Sequence, residues 1–210
     1  MIGIIDIGLG NISSIFKVLD KFEAQYITIS HASDIELVDK IIFPGVGSFK
    51  PAMEKLNKNN LVSPIQKFIS DGKHYLGICL GMQLLAEIGL EGEETQGLGV
   101  IKGSVKKMEN NPEQKLPHIG WNNVKHNQSG IFKNINDNSD FYFVHSYSFV
   151  PKEEAEIFYC QYSQEIVAYI RVGNIHGCQF HPEKSQSSGL KLIENFLKCW
   201  NIERSEEHTS

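Results

Sequence analysis

The sequence predicts an α/β fold: a mostly parallel central sheet, flanking helices and an added antiparallel portion. Three observations predict it. Apolar runs of strand length recur at 2–6, 40–43 and 74–78, each running into a glycine turn or a cysteine. Between them lie segments whose apolar residues follow helical spacing, the alternation that parallel strands joined by crossover helices require. Beyond about residue 98 the chain turns to short strand candidates separated by Gly, Pro, Asn and Asp, which favours antiparallel pairing.

Each element has its own signal. Ile2–Asp6 (IGIID) reads as a buried strand feeding the turn GLGN. Asn11 or Ser13 is placed to cap the next helix, whose Ile12, Ile15, Phe16 and Leu19 share one face. Tyr26–Ile29 alternates as a short strand, and Lys40–Phe43 is a strand broken by Pro44-Gly45-Val46-Gly47. One helix is expected after Ser48 and another after Pro64, running to about Ser70. His74–Ile78 is a strand meeting Cys79, and Leu80–Ile88 reads as a helix. Further strands are expected at Leu98–Lys107, Phe141–Ser148, Ala155–Tyr162, Ile166–Val172 and Asn174–Phe180, with a hairpin turn at Gly173-Asn174. A last helix runs from about Gly189 to Trp200 with Leu192, Phe196 and Leu197 inward. No repeat or linker interrupts residues 1–203, which are expected to form one domain. The polar tail RSEEHTS (204–210) has no periodicity. A frayed end is the plainer reading; the alternative is a non-native tail, since it back-translates to the start of a common sequencing adapter.

Composition narrows the class. The chain has 210 residues, 41% of them hydrophobic and 21% charged, too apolar for a disordered chain. A net charge of -5 does not favour a nucleic-acid backbone as partner. No apolar run reaches the ~18 residues needed to span a bilayer, and the N-terminus lacks the features of a signal peptide. The four cysteines (Cys79, Cys160, Cys178, Cys199) are too few and too dispersed for a disulfide scaffold and form no C-x-x-C pair. A cytoplasmic, reducing location is expected.

Three constellations carry chemistry. Gly77-Ile78-Cys79-Leu80-Gly81 has the form of a nucleophile elbow, with cysteine as the nucleophile. The turn holds the nucleophile in a strained conformation, and a helix N-terminus favours its thiolate. A small buried core cysteine is the plainer reading, but strand, glycines and helix together favour the nucleophile. Gln179-Phe180-His181-Pro182-Glu183 follows a strand. Pro182 is expected to keep the backbone extended, so that the Glu183 carboxylate can orient the His181 imidazole. No third residue at a recognisable spacing makes the His/Glu pair a metal site. Pro44-Gly45-Val46-Gly47 is neither a P-loop nor a dinucleotide turn. Its backbone N–H groups at Val46 and Gly47, with that of Leu80, can hold a developing oxyanion. A plain tight turn is the alternative. A cysteine peptidase could use the same elbow.

PGVGSF, GICLGMQLL and QFHPEKS, in this order, resemble the class I (triad-type) glutamine amidotransferase family over residues 2 to about 200. The resemblance implies the flavodoxin-like fold of that family, hydrolysis of glutamine to glutamate and ammonia through a Cys79 thioester, and no metal or organic cofactor. It makes Cys79 the nucleophile, His181 the base and acid, and Glu183 the orienting carboxylate. Gln83 and the backbone of His145, Ser146 and Tyr147 become glutamine contacts. The stretches around Asp6–Ile12, Leu116–Asn122 and Tyr142–Tyr147 resemble the branch that supplies ammonia to a (β/α)8 cyclase in imidazole glycerol phosphate synthases of histidine biosynthesis. That implies a heterodimer, with Asn11, Trp121, Tyr142 and Lys184 at the partner face. Paralogues supplying a sugar amidotransferase of surface-polysaccharide pathways share the ammonia-producing half, and Gly89–Gly99 resembles those.

Overall fold

The computed structural model describes residues 1–10, 12–109 and 114–206, with residues 200–206 as backbone only. The first half alternates strand and helix: β1 (Ile2–Ile5), α1 (Ser13–Lys21), β2 (Tyr26–Ile29), β3 (Lys40–Gly45), α2 (Phe49–Lys58), α3 (Val62–Ser70), β4 (His74–Cys79) and α4 (Leu80–Gln83). The second half is strand-rich: β5 (Ala86–Gly89), β6 (Thr95–Gln96), β7 (Ile101–Lys107), β8 (His118–Val124), β9 (Ser139–His145), β10 (Tyr147–Pro151), β11 (Glu156–Gln161), β12 (Glu165–Val172) and β13 (Ile175–Cys178). It closes with α5 (Gln186–Glu206), and short 3₁₀ turns lie at Ala32–Leu37, Gly130–Phe132 and Pro182–Lys184.

The central sheet has the order β11-β12-β13-β4-β3-β1-β2. The five strands from β13 to β2 are parallel, and β11 and β12 add the antiparallel edge the sequence predicts. Alternate strand residues face opposite cores, as the period of two demands. Ile5, Ile41, Phe43 and Tyr75 pack with Met53 and Leu56 of α2 and Ile65 and Phe68 of α3. Ile4, Ile42, Leu76 and Ile78 pack with Ile15 and Leu19 of α1 and Leu192 and Phe196 of α5. The hairpin turn at Gly173-Asn174 is present: Val172 pairs with Ile175, and Gly173 has φ +56°.

The structure departs from the sequence reading at several places. The helix expected over Leu80–Ile88 stops after one turn, and Ala86–Gly89 is a strand paired with β7. The backbone carbonyls of residues 84–87, which would have continued the helix, accept instead from N–H groups of residues 97–101. Tertiary pairing thus overrides the helical propensity of MQLLAEI. The strand expected over Phe141–Ser148 is two strands that change sheets at Ser146: β9 pairs with β8, and β10 with β7. Of the two expected caps of α1, Ser13 is not at the N-cap position. The N-cap of the helix is Ile12, Ser13 is its first residue, and Asn11 lies outside the described residues. Strands β5, β6 and β8 carry no signal that the sequence reading used. Helix α5 includes residues 204–206 of the polar tail, and 207–210 lie outside the described residues.

Strands β3 and β4 point the same way, so their C-terminal ends, Pro44-Gly45 and Cys79, share one edge. Strand β13 is parallel to β4 and delivers Gln179–His181 to that same edge. Open α/β sheets bind ligands there.

Candidate active site

Cys79 is the residue between β4 and α4, with φ +52° and ψ −107°. A non-glycine residue held in that region stores strain and persists only where the surroundings impose it. Here packing imposes it. A Cβ on Gly81 would lie 1.9 Å from the Phe43 carbonyl oxygen, and one on Gly77 would lie 2.5 Å from that of Gly81. Only glycines let the turn close this tightly. The Cys79 side chain is buried, with Sγ 3.7 Å from Gln179 Nε2 and 3.9 Å from the Val144 carbonyl.

His181 and Glu183 meet as expected, with Nδ1 and Oε1 2.7 Å apart and both side chains buried. The backbone route differs from expectation. His181 is the extended residue, and Pro182 opens a 3₁₀ turn that brings Glu183 back under the ring. The fixed φ of proline suits the first position of such a turn. The loop is anchored to β9. His181 N–H donates to the Tyr142 carbonyl at 2.8 Å, and Tyr142 N–H donates to Ser185 Oγ, which donates to the His181 carbonyl. Burial disfavours the imidazolium, but Cys79 and then Glu183 outweigh it, and the His181 pKa is pushed up to about 10.

A cavity of about 350 Å³ opens onto Cys79. Val46, Gly47, Gln83, His145, Ser146 and Tyr147, all named from sequence, line it. Gly47 has φ +115°, so the turn after β3 depends on glycine. Leu80 is the first residue of α4, directly after Cys79, with its side chain buried. Gln83 Nε2 is already committed as a donor to the Tyr147 carbonyl (3.0 Å) and to Gln179 Oε1 (3.1 Å), so it builds the wall of the cavity. His145 Nδ1 also reaches the Tyr147 carbonyl, at 2.8 Å, and its second nitrogen meets His118 Nδ1 at 3.1 Å. Burial pulls the His145 pKa down to about 3 and that of His118 to about 4, so this pair is neutral.

Two residues escaped the sequence reading. Gln179, fully buried, bridges Gln83 to the Cys79 sulfur. Glu91 lines the same cavity and accepts from Phe49 N–H at 2.8 Å, placing a carboxylate in its wall. The glycine-rich run around Glu91 gives no periodic signal, and only the fold returns it to the cavity.

Of the residues expected at a partner face, Trp121 and Tyr142 lie on the β8–β9 ribbon and Lys184 in the Pro182–Lys184 turn beside it, while Asn11 lies outside the described residues. Trp121 pairs across the strands with Tyr142, their rings edge to face at 5.9 Å, and Lys184 Nζ lies 5.9 Å from the Tyr142 ring centroid. Trp121 is half exposed. Lys184 also lines a smaller cavity of about 90 Å³ with Leu9, Pro44, Val46, His181 and Glu183.

The chain is similar to known proteins over nearly its whole length. The family model for glutamine amidotransferase class-I matches residues 3–200. The imidazole glycerol phosphate synthase subunit HisH of Oceanobacillus iheyensis is 46% identical over 198 residues, covering 93% of this chain and 98% of that protein. The HisH subunit of Methanocaldococcus jannaschii is 45% identical, covering 94% and 99%. A crystal structure of a glutamine amidotransferase superposes with a TM-score of 0.75 at 17% identity, covering 95% of this chain and 98% of that one.

Proposed function

The chain belongs to the class-I glutamine amidotransferase family, and from that premise we propose that it is the glutaminase subunit of an imidazole glycerol phosphate synthase. The observation that carries the reading is the strained, buried Cys79 on an amino-acid-sized cavity, coupled to the buried His181–Glu183 pair that lines the neighbouring smaller cavity. In this reading the Cys79 sulfur attacks the side-chain amide carbon of glutamine, and His181 takes the thiol proton. The tetrahedral oxyanion is met by the N–H of Leu80 and by N–H groups at Val46–Gly47; one such donor contributes roughly 3–4 kcal/mol. His181 then protonates the departing ammonia and later activates water to release glutamate from the thioester. Glu183 holds the ring and offsets its charge. The Glu91 carboxylate suits the α-ammonium group of glutamine, and backbone groups of His145–Tyr147 suit its carboxylate end.

Ammonia released into bulk water would be protonated and lost, so a sealed path into a partner is physically favoured. The smaller cavity beside His181 shares Val46 with the glutamine cavity and reaches Lys184. The proposed partner is a (β/α)8 cyclase, docked over Trp121, Tyr142 and Lys184 as a heterodimer in the cytoplasm. Among the described residues no helix is long and apolar enough to cross a membrane. The name shared by the full-length relatives favours the histidine-pathway synthase over a sugar amidotransferase, and over a peptidase using the same elbow. The test is Cys79→Ala. Glutamine hydrolysis is expected to vanish while the circular dichroism spectrum and melting midpoint are kept. Sustained hydrolysis in that variant overturns the assignment.

A further inference from the structure

At the sheet edge opposite Cys79, three metal-ligating side chains meet that the reaction does not use. His74 opens β4, His176 is the second residue of the neighbouring strand β13, and Cys199 lies on α5, which covers that edge. One ligand atom from each, two imidazole nitrogens and a sulfur, lie within 4.8 Å of one another. Both histidines are buried and Cys199 is half-buried. The two rings stack with centroids 6.1 Å apart and planes 27° off parallel. His176 is fixed from behind: its Nδ1 meets the hydroxyl of the buried Tyr169 at 2.8 Å, which leaves Nε2 to face the cluster. That outer contact is what orients histidine ligands in known metal sites.

We propose that His74, His176 and Cys199 form a site for one zinc ion, separate from the glutaminase centre. Tetrahedral zinc with Zn–N near 2.0–2.1 Å and Zn–S near 2.3 Å sets its ligand atoms about 3.3–3.6 Å apart. The three ligand atoms, within 4.8 Å of one another, would draw in to that spacing, with the Cys199 sulfur exchanging its contact to the Asn195 carbonyl at 3.5 Å for the metal. Two imidazoles and a thiolate suit zinc and offer nothing to calcium or magnesium, which take oxygen ligands. The fourth position is left to water. Lys40 faces the cluster from β3. It is paired in register with His74, and its Nζ is held by the carbonyls of Phe196 and Leu197 at 3.1 and 2.6 Å. Its positive charge opposes a bare dication, so the thiolate is required: it offsets one charge of the metal. Zinc here would pin the far end of α5, whose near end follows the Pro182–Lys184 turn that carries the catalytic carboxylate.

The test uses the full-length chain, stripped with chelator, dialysed against micromolar zinc and analysed for bound metal. One zinc per chain is expected in the parent and in Cys79→Ala. Cys199→Ala is expected to bind at least tenfold more weakly while retaining glutaminase activity, which reports that it folds. Cobalt added to the unsubstituted protein gives a second readout that needs no variant. Intense visible bands of tetrahedral cobalt with a thiolate-to-cobalt charge-transfer band support the site. No stoichiometric zinc, a cobalt spectrum without the thiolate band, or metal lost with Cys79→Ala and kept in Cys199→Ala overturns it.

Discussion

Replacing Gly81 by alanine tests whether the elbow is held by packing. The added Cβ would lie 1.9 Å from the Phe43 carbonyl oxygen and 2.9 Å from its carbon. An ordinary carbon–oxygen contact is about 3.3 Å, so α4 and β3 would have to part by about 1.4 Å. The obstacle is backbone of a strand flanked by β1 and β4, not a side chain that can swing away. Overpacking that side chains absorb costs about 1–3 kcal/mol. A clash between backbones is expected at or above the top of that range. For a chain of this size each 1 kcal/mol lowers the melting midpoint by about 2–4 °C, so Gly81→Ala should melt about 6–12 °C below the parent. Glutaminase kcat/KM should fall with it, because the displaced residue is two positions from Cys79. Gly92→Ala is the control. Gly92 has φ +80° but nothing within 4 Å of its Cβ position, leaving only backbone strain of about 1–2 kcal/mol. Thermal melts and steady-state glutaminase assays of both variants decide. A Gly81→Ala melt within 2 °C of the parent, or one matching Gly92→Ala, would refute the packing account.

Other outcomes follow from the same geometry. Glu91→Gln keeps an acceptor for Phe49 N–H but removes the charge facing the cavity, so KM for glutamine should rise about tenfold to a hundredfold with a smaller change in kcat. Trp121→Ala should weaken association with the proposed cyclase partner by about 2 kcal/mol, roughly thirtyfold in Kd by titration calorimetry, as for a half-exposed aromatic anchor; an unchanged Kd removes Trp121 from the proposed interface. Stability should also fall in acid. Burial lowers the pKa of His118 to about 4 and those of His145 and His176 to about 3. The unfolded chain then binds more protons below its histidine pKa near 6.5, and stability is lost as pH falls from there toward 4. At the steepest point three such groups give about 4 kcal/mol per pH unit. His181 has the opposite sign. Its raised pKa of about 10 contributes stability below pH 6.5 that fades as pH rises through 10. Urea titrations across this range check both limbs, and a flat profile between pH 4 and 6.5 contradicts the burial account.

The alternating apolar runs at Ile2, Lys40 and His74 were legible because each strand sits inside a parallel sheet buried on both faces, where nearly every residue must be apolar. The elbow at Cys79 and the pair His181–Glu183 were legible because a sharp turn and a two-residue spacing are local demands on the sequence. The stop after Gln83 was not legible. MQLLAEI carries a good helical pattern, and what ends the helix is the loop at 97–101, which reaches back for its carbonyls. The break at Ser146 was hidden for the same reason: Phe141–Ser148 is one apolar run, and only the choice of two different partner strands divides it. Glu91 and Gln179 belong to the site by tertiary return alone. Glu91 comes from a loop with no period, and Gln179 looked like the end of a strand.

The site holds polar atoms in a state that folding alone would not select. Glu183 Oε2 is buried with no hydrogen-bond partner among the described residues, and His181 Nε2 has none there besides its interaction with Cys79. A buried unpaired polar atom costs about 1–3 kcal/mol, and a core built for stability would pair or remove both. Here that nitrogen belongs to the ring that, in the proposed reaction, exchanges a proton first with the Cys79 thiol, then with a leaving amine, then with water. A permanent partner would compete with each of these. The position of the ring also gives the reaction a direction. Cys79 lines the larger cavity, where glutamine fits; His181, Glu183 and Lys184 line the smaller one, and Val46 borders both. In the proposed reaction the amide nitrogen that His181 protonates would leave on the side of the smaller cavity, toward Lys184 and the Trp121–Tyr142 ribbon, while glutamate stays attached to Cys79 on the other. On that reading the order of side chains across the sheet edge would separate the two products, and the proposed partner need only seal the smaller opening to capture the ammonia.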